Sequence, residues 1–221
     1  LVGGAAVVAM THPDTPLPSE WNPVEPLRVA DPRSPLTRWK ATVVERTFEG
    51  CLAAMDPRAV TPLMPLSESN ECGIADRVRL TQLGGAQLAP LETDCAVALR
   101  LALWERHDLQ DVARETLGAR VVGIKHLSSY ACRRMRTLRG EGRRMSSHAT
   151  GMAIDVSGFT FSDGRAVDLL TGWEGSPNEQ AFLRAAQKSA CKWFGGVLGP
   201  DFNALHADHF HMQVPGRGFC R

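Results

Sequence analysis

Residues 152–170 read "MAIDVSGFTFSDGRAVDLL". Apolar and polar side chains alternate along "MAIDV", the period of a strand with one buried face, and "SDG" supplies turn residues before a second β-rich run. The stretch predicts a hairpin turning at Asp163-Gly164, and with it an antiparallel sheet. Asp155 then points away from the face shared by Ile154 and Val156. A carboxylate on a strand otherwise built for a core needs a partner.

Working outward, "HFHMQV" at 209–214 reads as a final strand in which His209, His211 and Gln213 share one face and Phe210, Met212 and Val214 the other. Two such strands side by side bring Asp155 near His211, and the turn containing Gly151 in "SSHATG" brings His148 back over them. Two imidazoles and one carboxylate at one point are the ligand set of a catalytic zinc with a position left for water. Such a centre activates water and polarises a carbonyl oxygen, as amide hydrolysis requires. Each motif alone is weak, because an isolated H-x-H is commonly a surface pair; their combination is not. Ser146 and Ser147 lack the G-x-S-x-G surroundings of a serine hydrolase. His206 is either a group behind the ligands or a loop histidine. His12, His107 and His126 are expected to be structural or solvent-facing, and Trp173 and Trp193 to lie in the core or at its rim.

The rest of the chain fits an α+β domain, a small antiparallel sheet with flanking helices. "LTRWKATVVERTFEGCLAAM" has helical spacing, and "DRVRLTQLGGAQLAPLE" reads as two short strands joined at Gly84-Gly85. A long helix follows, with Thr93 or Asp94 as its cap and Gly118 as its stop; "ARVVGIKHLSSY" is β-rich and "NEQAFLRAAQKSACKWF" helical. Seven of the 14 prolines fall between Pro13 and Pro35, so residues 1–35 are expected as an apolar end plus an extended tether free to lie along the domain or a partner, with the folded unit at 36–221.

Charge is balanced at 25 Lys plus Arg against 24 Asp plus Glu, which gives no global reason to expect nucleic acid or a membrane surface as partner. The run 133–144, "RRMRTLRGEGRR", is locally basic but lacks the aromatics of a nucleic-acid site; it reads as a solvated face or as a contact for a carboxylate-rich substrate. Six cysteines without a C-x-x-C pair suit three structural disulfides, hence an oxidising compartment, periplasmic or secreted. A Cys191–Cys220 bridge is expected, tying a late helix to the C-terminal end. "LVGGAAVVAM" at 1–10 is shorter than the ~20 apolar residues of a bilayer span and reads as the end of a signal region or membrane anchor.

Ser146, His148, Gly151, Ala153 and Asp155 form S-x-H-x-x-G-x-A-x-D, which resembles the signature of the zinc peptidases that include D-Ala-D-Ala carboxypeptidases, lysostaphin-type endopeptidases and the hedgehog domain. His209 and His211 match their late H-x-H. More closely, "CAVALRLALWERH", "SSYACR", "SSHATGMAIDVSGF", "VLGPDFNALHADHFH" and "GFCR" resemble the bacterial extensin-like C-terminal domain family over roughly residues 45–221. The resemblance implies a hedgehog or D-Ala-D-Ala peptidase-like fold and a zinc ion on His148, Asp155 and His211. It implies a general base at His209, or at Asp208, where some relatives carry glutamate. It also implies an oxyanion-stabilising arginine near "SYACR", here Arg133. The implied activity is zinc-dependent hydrolysis of peptidoglycan cross-links or stem peptides. The alternatives are an inactive, metal-containing binding or structural subunit, held by its tail to a membrane or protein partner, and an amidase acting on a non-peptide wall polymer.

Overall fold

In the computed structural model, which describes residues 17–214, 216 and 218–221 together with residues 4, 7, 8, 10 and 12, two helices lead into a run of strands. These are α1 (Thr37–Val44), α2 (Phe48–Ala54), β1 (Val60–Pro62), β2 (Leu66–Ser67), β3 (Gly73–Ile74), β4 (Arg77–Leu83) and β5 (Ala86–Asp94). Then come α3 (Cys95–Trp104), a π-helical turn (Glu105–Leu109), α4 (Gln110–Leu117) and β6 (Val121–Ser128). The second half contains β7 (Arg134–Thr137), β8 (Gly140–Met145), β9 (Ala153–Phe161), β10 (Ala166–Asp168), α5 (Leu169–Gly172), α6 (Pro177–Ala190), β11 (Gly196–Leu198), β12 (Phe210–Gln213) and β13 (Phe219–Cys220).

The helix ends follow from sequence. Asp94 accepts from the Ala96 amide at the start of α3, and Gly118, at φ +66°, closes α4 where a side chain would strain the backbone. Ser176 and Glu179 form a reciprocal capping box on α6, with Pro177 in its first turn.

The main sheet runs β1-β4-β5-β6-β9-β12-β11-β13, with β10 beside the far half of β9. Its pairings are antiparallel except β5 with β6 and β11 with β13. The sheet is mostly antiparallel, as expected, but it is not small: among the described residues it has nine strands, and two of its joins are parallel. The first join exists because α3 and α4 carry the chain back across the sheet between β5 and β6. The 163–164 hairpin is present as β9–β10, and β12 is followed by one further short strand, β13.

Helices cover one face. Trp104, Phe159 and Phe182 are fully buried there, with edge-to-face contacts at 6.2 and 5.1 Å between ring centres. Each such ring contributes about 2–3 kcal/mol by burial. Trp173 and Trp193 belong to the same core. Three disulfides join Cys51–Cys95, Cys72–Cys132 and Cys191–Cys220, the last as expected.

The proline-rich segment is anchored from Ser19 onward. Leu27 enters the core, Lys40 Nζ donates to the Ser19 carbonyl, and the Val29 amide donates to Ala54. The segment expected as a tether ahead of a folded unit at 36 is, over residues 19–35, packed as a strap on that unit. Prolines confine helix there to one 3-10 turn, Ser19–Trp21, but leave single apolar side chains free to insert. Most of the apolar opening read as signal or anchor lies outside the described residues. Among those described, no helix is long and apolar enough to cross a membrane.

Candidate metal centre

The site forms on the sheet face opposite Ile154 and Val156. Asp155 of β9 and His211 of β12 are direct cross-strand partners, so alternation alone turns both side chains the same way. His148 arrives from a one-turn 3-10 helix, Ser147–Thr150, capped by Ser146, whose hydroxyl accepts from the His148 amide. Gly151 ends that turn at φ +65°, and a Cβ there would fall 2.9 Å from Ile74, so only glycine lets the chain double back into β9.

Around one point, His148 Nε2 lies 3.1 Å from His211 Nδ1 and 3.2 Å from Asp155 Oδ1, and His211 Nδ1 lies 3.0 Å from the same oxygen. The outer nitrogens fix the tautomers. His148 Nδ1–H donates to the Ser129 carbonyl at 2.8 Å, and His211 Nε2–H donates to Gln213 Oε1 at 3.1 Å. Neutral rings held this way turn lone pairs inward, toward a carboxylate that also has only lone pairs. Three acceptors in mutual contact demand a cation, either a proton or a metal. Ligands about 2.0–2.2 Å from one tetrahedral centre stand roughly 3.3–3.6 Å apart, close to these separations. The donor set and its spacing therefore fit a small divalent ion such as zinc.

All three ligand candidates are buried. Burial alone pushes the Asp155 carboxyl up, but the close contacts of His148 and His211, with His209 nearby, outweigh it and hold the carboxyl well below the usual carboxylate range. His206 is pushed down to about 4 by burial, assisted by His209 and His211, so it stands as a neutral ring beside them. Its Nδ1–H donates to Asn203 Oδ1 at 2.8 Å.

His209 occupies the rim. Its Nε2 is 3.6 Å from Asp155 Oδ1, and its Nδ1–H donates to Asp208 Oδ1 at 2.8 Å. Asp208 itself is half exposed and turned to His209. Burial, aided by the Arg136 charge, lowers the pKa of Arg133, and the Asp155 charge only partly offsets this. With Arg134, Arg136 and Leu205, Arg133 lines a hollow of about 390 Å³. The structure brings His148, Asp155 and His211 to one point, with His209 beside Asp155 and Asp208 on His209, while Arg133 bonds to none of them. Sequence reasoning missed Ser129 and underused Ser147. The Ser129 carbonyl orients His148, and the Ser147 hydroxyl donates to Gln213 Oε1 at 3.3 Å. Backbone acceptors leave no residue-type signal, although Gln213 shares the strand face of His209 and His211.

Fold and site together define a disulfide-bonded α+β domain with a buried His–Asp–His cluster on a mostly antiparallel sheet. A family profile described as "Extensin-like protein C-terminus" matches residues 49–221. The chain belongs to the extensin-like C-terminal family. No curated protein and no solved structure matches the chain.

Proposed function

We propose that the chain is a zinc-dependent peptidase of the bacterial envelope, acting on peptidoglycan cross-links or stem peptides. One observation carries the reading: three inward lone pairs on His148, Asp155 and His211, each held by a specific outer partner or by the strand register. When bound, zinc supplies Lewis acidity and a water of lowered pKa. His148, Asp155 and His211 are the residues that would hold it. His209, its Nδ1 proton committed to Asp208, offers the Nε2 lone pair as the base that takes a proton from water and returns it to the leaving amine. Asp208 holds that tautomer and balances the charge His209 acquires. Arg133 supplies fixed positive charge for the developing oxyanion. The S-x-H-x-x-G-x-A-x-D pattern and the late H-x-H support kinship with the D-Ala-D-Ala and hedgehog-type peptidases as part of the same proposal, and the three disulfides support an exported location.

The depth of the cluster, with His148 only 1% exposed, favours a second reading, a metal-holding binding subunit without catalysis. The test is to load the protein with zinc, measure the metal, incubate it with purified peptidoglycan and read the muropeptides by mass spectrometry beside His211→Ala. New fragments that vanish in the variant support the peptidase and identify the bond. Stoichiometric zinc without fragments assigns the binding subunit, and absence of zinc from the wild type overturns both readings.

A further inference from the structure

The arginine run folds into a projecting two-stranded ribbon. β7 pairs with β8 through Arg134↔Met145, Arg136↔Glu141 and Thr137↔Gly140, leaving Leu138 and Arg139 as a two-residue turn. Every β7 position is exposed, and no β8 position is buried. The tip is nevertheless firm: Thr137 Oγ1 donates to the Gly140 carbonyl at 2.8 Å and accepts from the Arg139 amide at 3.2 Å. At the base, the Cys72–Cys132 bridge and the bond from the Ser146 amide to the Arg133 carbonyl tie the ribbon to the domain.

Two features separate this ribbon from an ordinary solvated face. Six arginines (133, 134, 136, 139, 143 and 144) accompany a single acid, Glu141, and none of the six forms an ion pair among the described residues. At its end Leu138 is 69% exposed, with Met135 behind it at 45%. A soluble polyanion would use the charge but leave the leucine in water. A lipid surface uses both, taking the apolar tip among the headgroups and the guanidinium groups on phosphates.

We propose that the β7–β8 ribbon is a docking finger for an anionic lipid surface, with Leu138 entering the headgroup layer and Arg136, Arg139, Arg143 and Arg144 binding lipid phosphates. The inference goes beyond the peptidase reading and needs neither metal nor catalysis. Four residues at about 3.4 Å each set the tip roughly 13 Å from the Arg133–Ser146 base. Because Ser146 leads directly into the turn that carries His148, docking would hold the metal centre close to the membrane plane.

The full chain is tested by flotation with vesicles of phosphatidylcholine alone and of phosphatidylcholine with 30% phosphatidylglycerol (about one anionic lipid in three), at low salt. Binding is expected only to the anionic vesicles and should be released at high salt. Arg136→Gln, Arg139→Gln and Arg143→Gln should each cost about five-fold in partitioning, and Leu138→Ser roughly ten-fold. All are exposed substitutions, and an unchanged melting temperature confirms the fold. Equal binding to both vesicles, or binding indifferent to the arginine changes, overturns the proposal. Binding to soluble polyphosphate as tight as to vesicles, with Leu138→Ser neutral, also overturns it and makes the ribbon a polyanion contact.

Discussion

Replacing Asp108 tests how the proline-rich strap is fastened to the domain. The carboxylate is 7% exposed and accepts three donors: Trp193 Nε1–H at 2.7 Å, Lys192 Nζ at 2.5 Å and Arg33 of the strap at 3.3 Å. The donors differ in what they lose. Trp193 is buried, so in Asp108→Ala its N–H is left without an acceptor, at about 1–3 kcal/mol. Arg33 and Lys192 are each nearly half exposed and return to water, so each pairing is worth at most about 1 kcal/mol. The sum is about 3 kcal/mol for Asp108→Ala. Asp108→Asn keeps an oxygen for Trp193 and loses only the charge, about 1 kcal/mol. At 2–4 °C per kcal/mol for a chain of this size, the melting temperature should fall by about 6–12 °C for alanine and about 2–4 °C for asparagine. Calorimetry with the disulfides intact measures this, and trypsin should cut after Arg33 faster in both variants. Equal melting temperatures for the two variants would refute the reasoning, because the buried indole N–H would then not be the dominant loss.

Further outcomes follow from four positions. Gly151→Ala places a Cβ against Ile74 and forces a positive φ, so it should cost about 2 kcal/mol or more in thermal unfolding and weaken zinc binding measured by calorimetry. Asp94 is raised from 3.8 to about 6, chiefly by burial. Between those values the unfolded chain ionises first, so this group progressively destabilises the fold as pH rises and adds nothing below about 4. Asp94→Asn keeps the cap to Ala96 without titrating; its melting temperature relative to wild type should therefore climb from pH 4 to pH 7, by up to roughly 3 kcal/mol in stability. In a muropeptide assay His209→Ala should keep its zinc and lose about 10²–10⁴ in turnover, whereas Asp208→Asn should lose only about ten-fold, because water can replace the half-exposed carboxylate. Loss of zinc from His209→Ala would move that residue into the ligand set.

The site was legible because two short strands each have one strict period. In "MAIDV" and "HFHMQV" a slip of one residue would bury a charge and expose an isoleucine or phenylalanine, so the hydrophobic pattern fixes which side chains face together. That is why Asp155 and His211 meet. The ribbon was not legible for the converse reason: with no buried position in either strand, "RRMRTLRGEGRR" carries no apolar period to read as β. The strap was legible only as a choice between the domain and a partner. Its prolines report what the backbone cannot do, while the burial of Leu27 depends on the groove it meets. The extent of the sheet was missed because β1, β11 and β13 are two or three residues long, too short to show a period at all.

Asp155 also bears on whether the cluster is functional. It sits in the middle of β9 between Ile154 and Val156, both fully buried, with β6 on one side and β12 on the other. A domain needing only stability would gain by an apolar residue there, since an ionised carboxylate in a sheet centre must recover a desolvation cost of several kcal/mol. Here His148 and His211 lie directly against it, and their outward hydrogen bonds leave them as acceptors toward it. Without a cation the arrangement is a strained proton-sharing triad; with a divalent ion all three lone pairs are satisfied at once. Saturating zinc at about 100 times its dissociation constant should thus add about 2.7 kcal/mol to unfolding, an increment that disappears in Asp155→Ala. A chain equally stable with and without zinc would leave that buried carboxylate without a purpose this fold can explain.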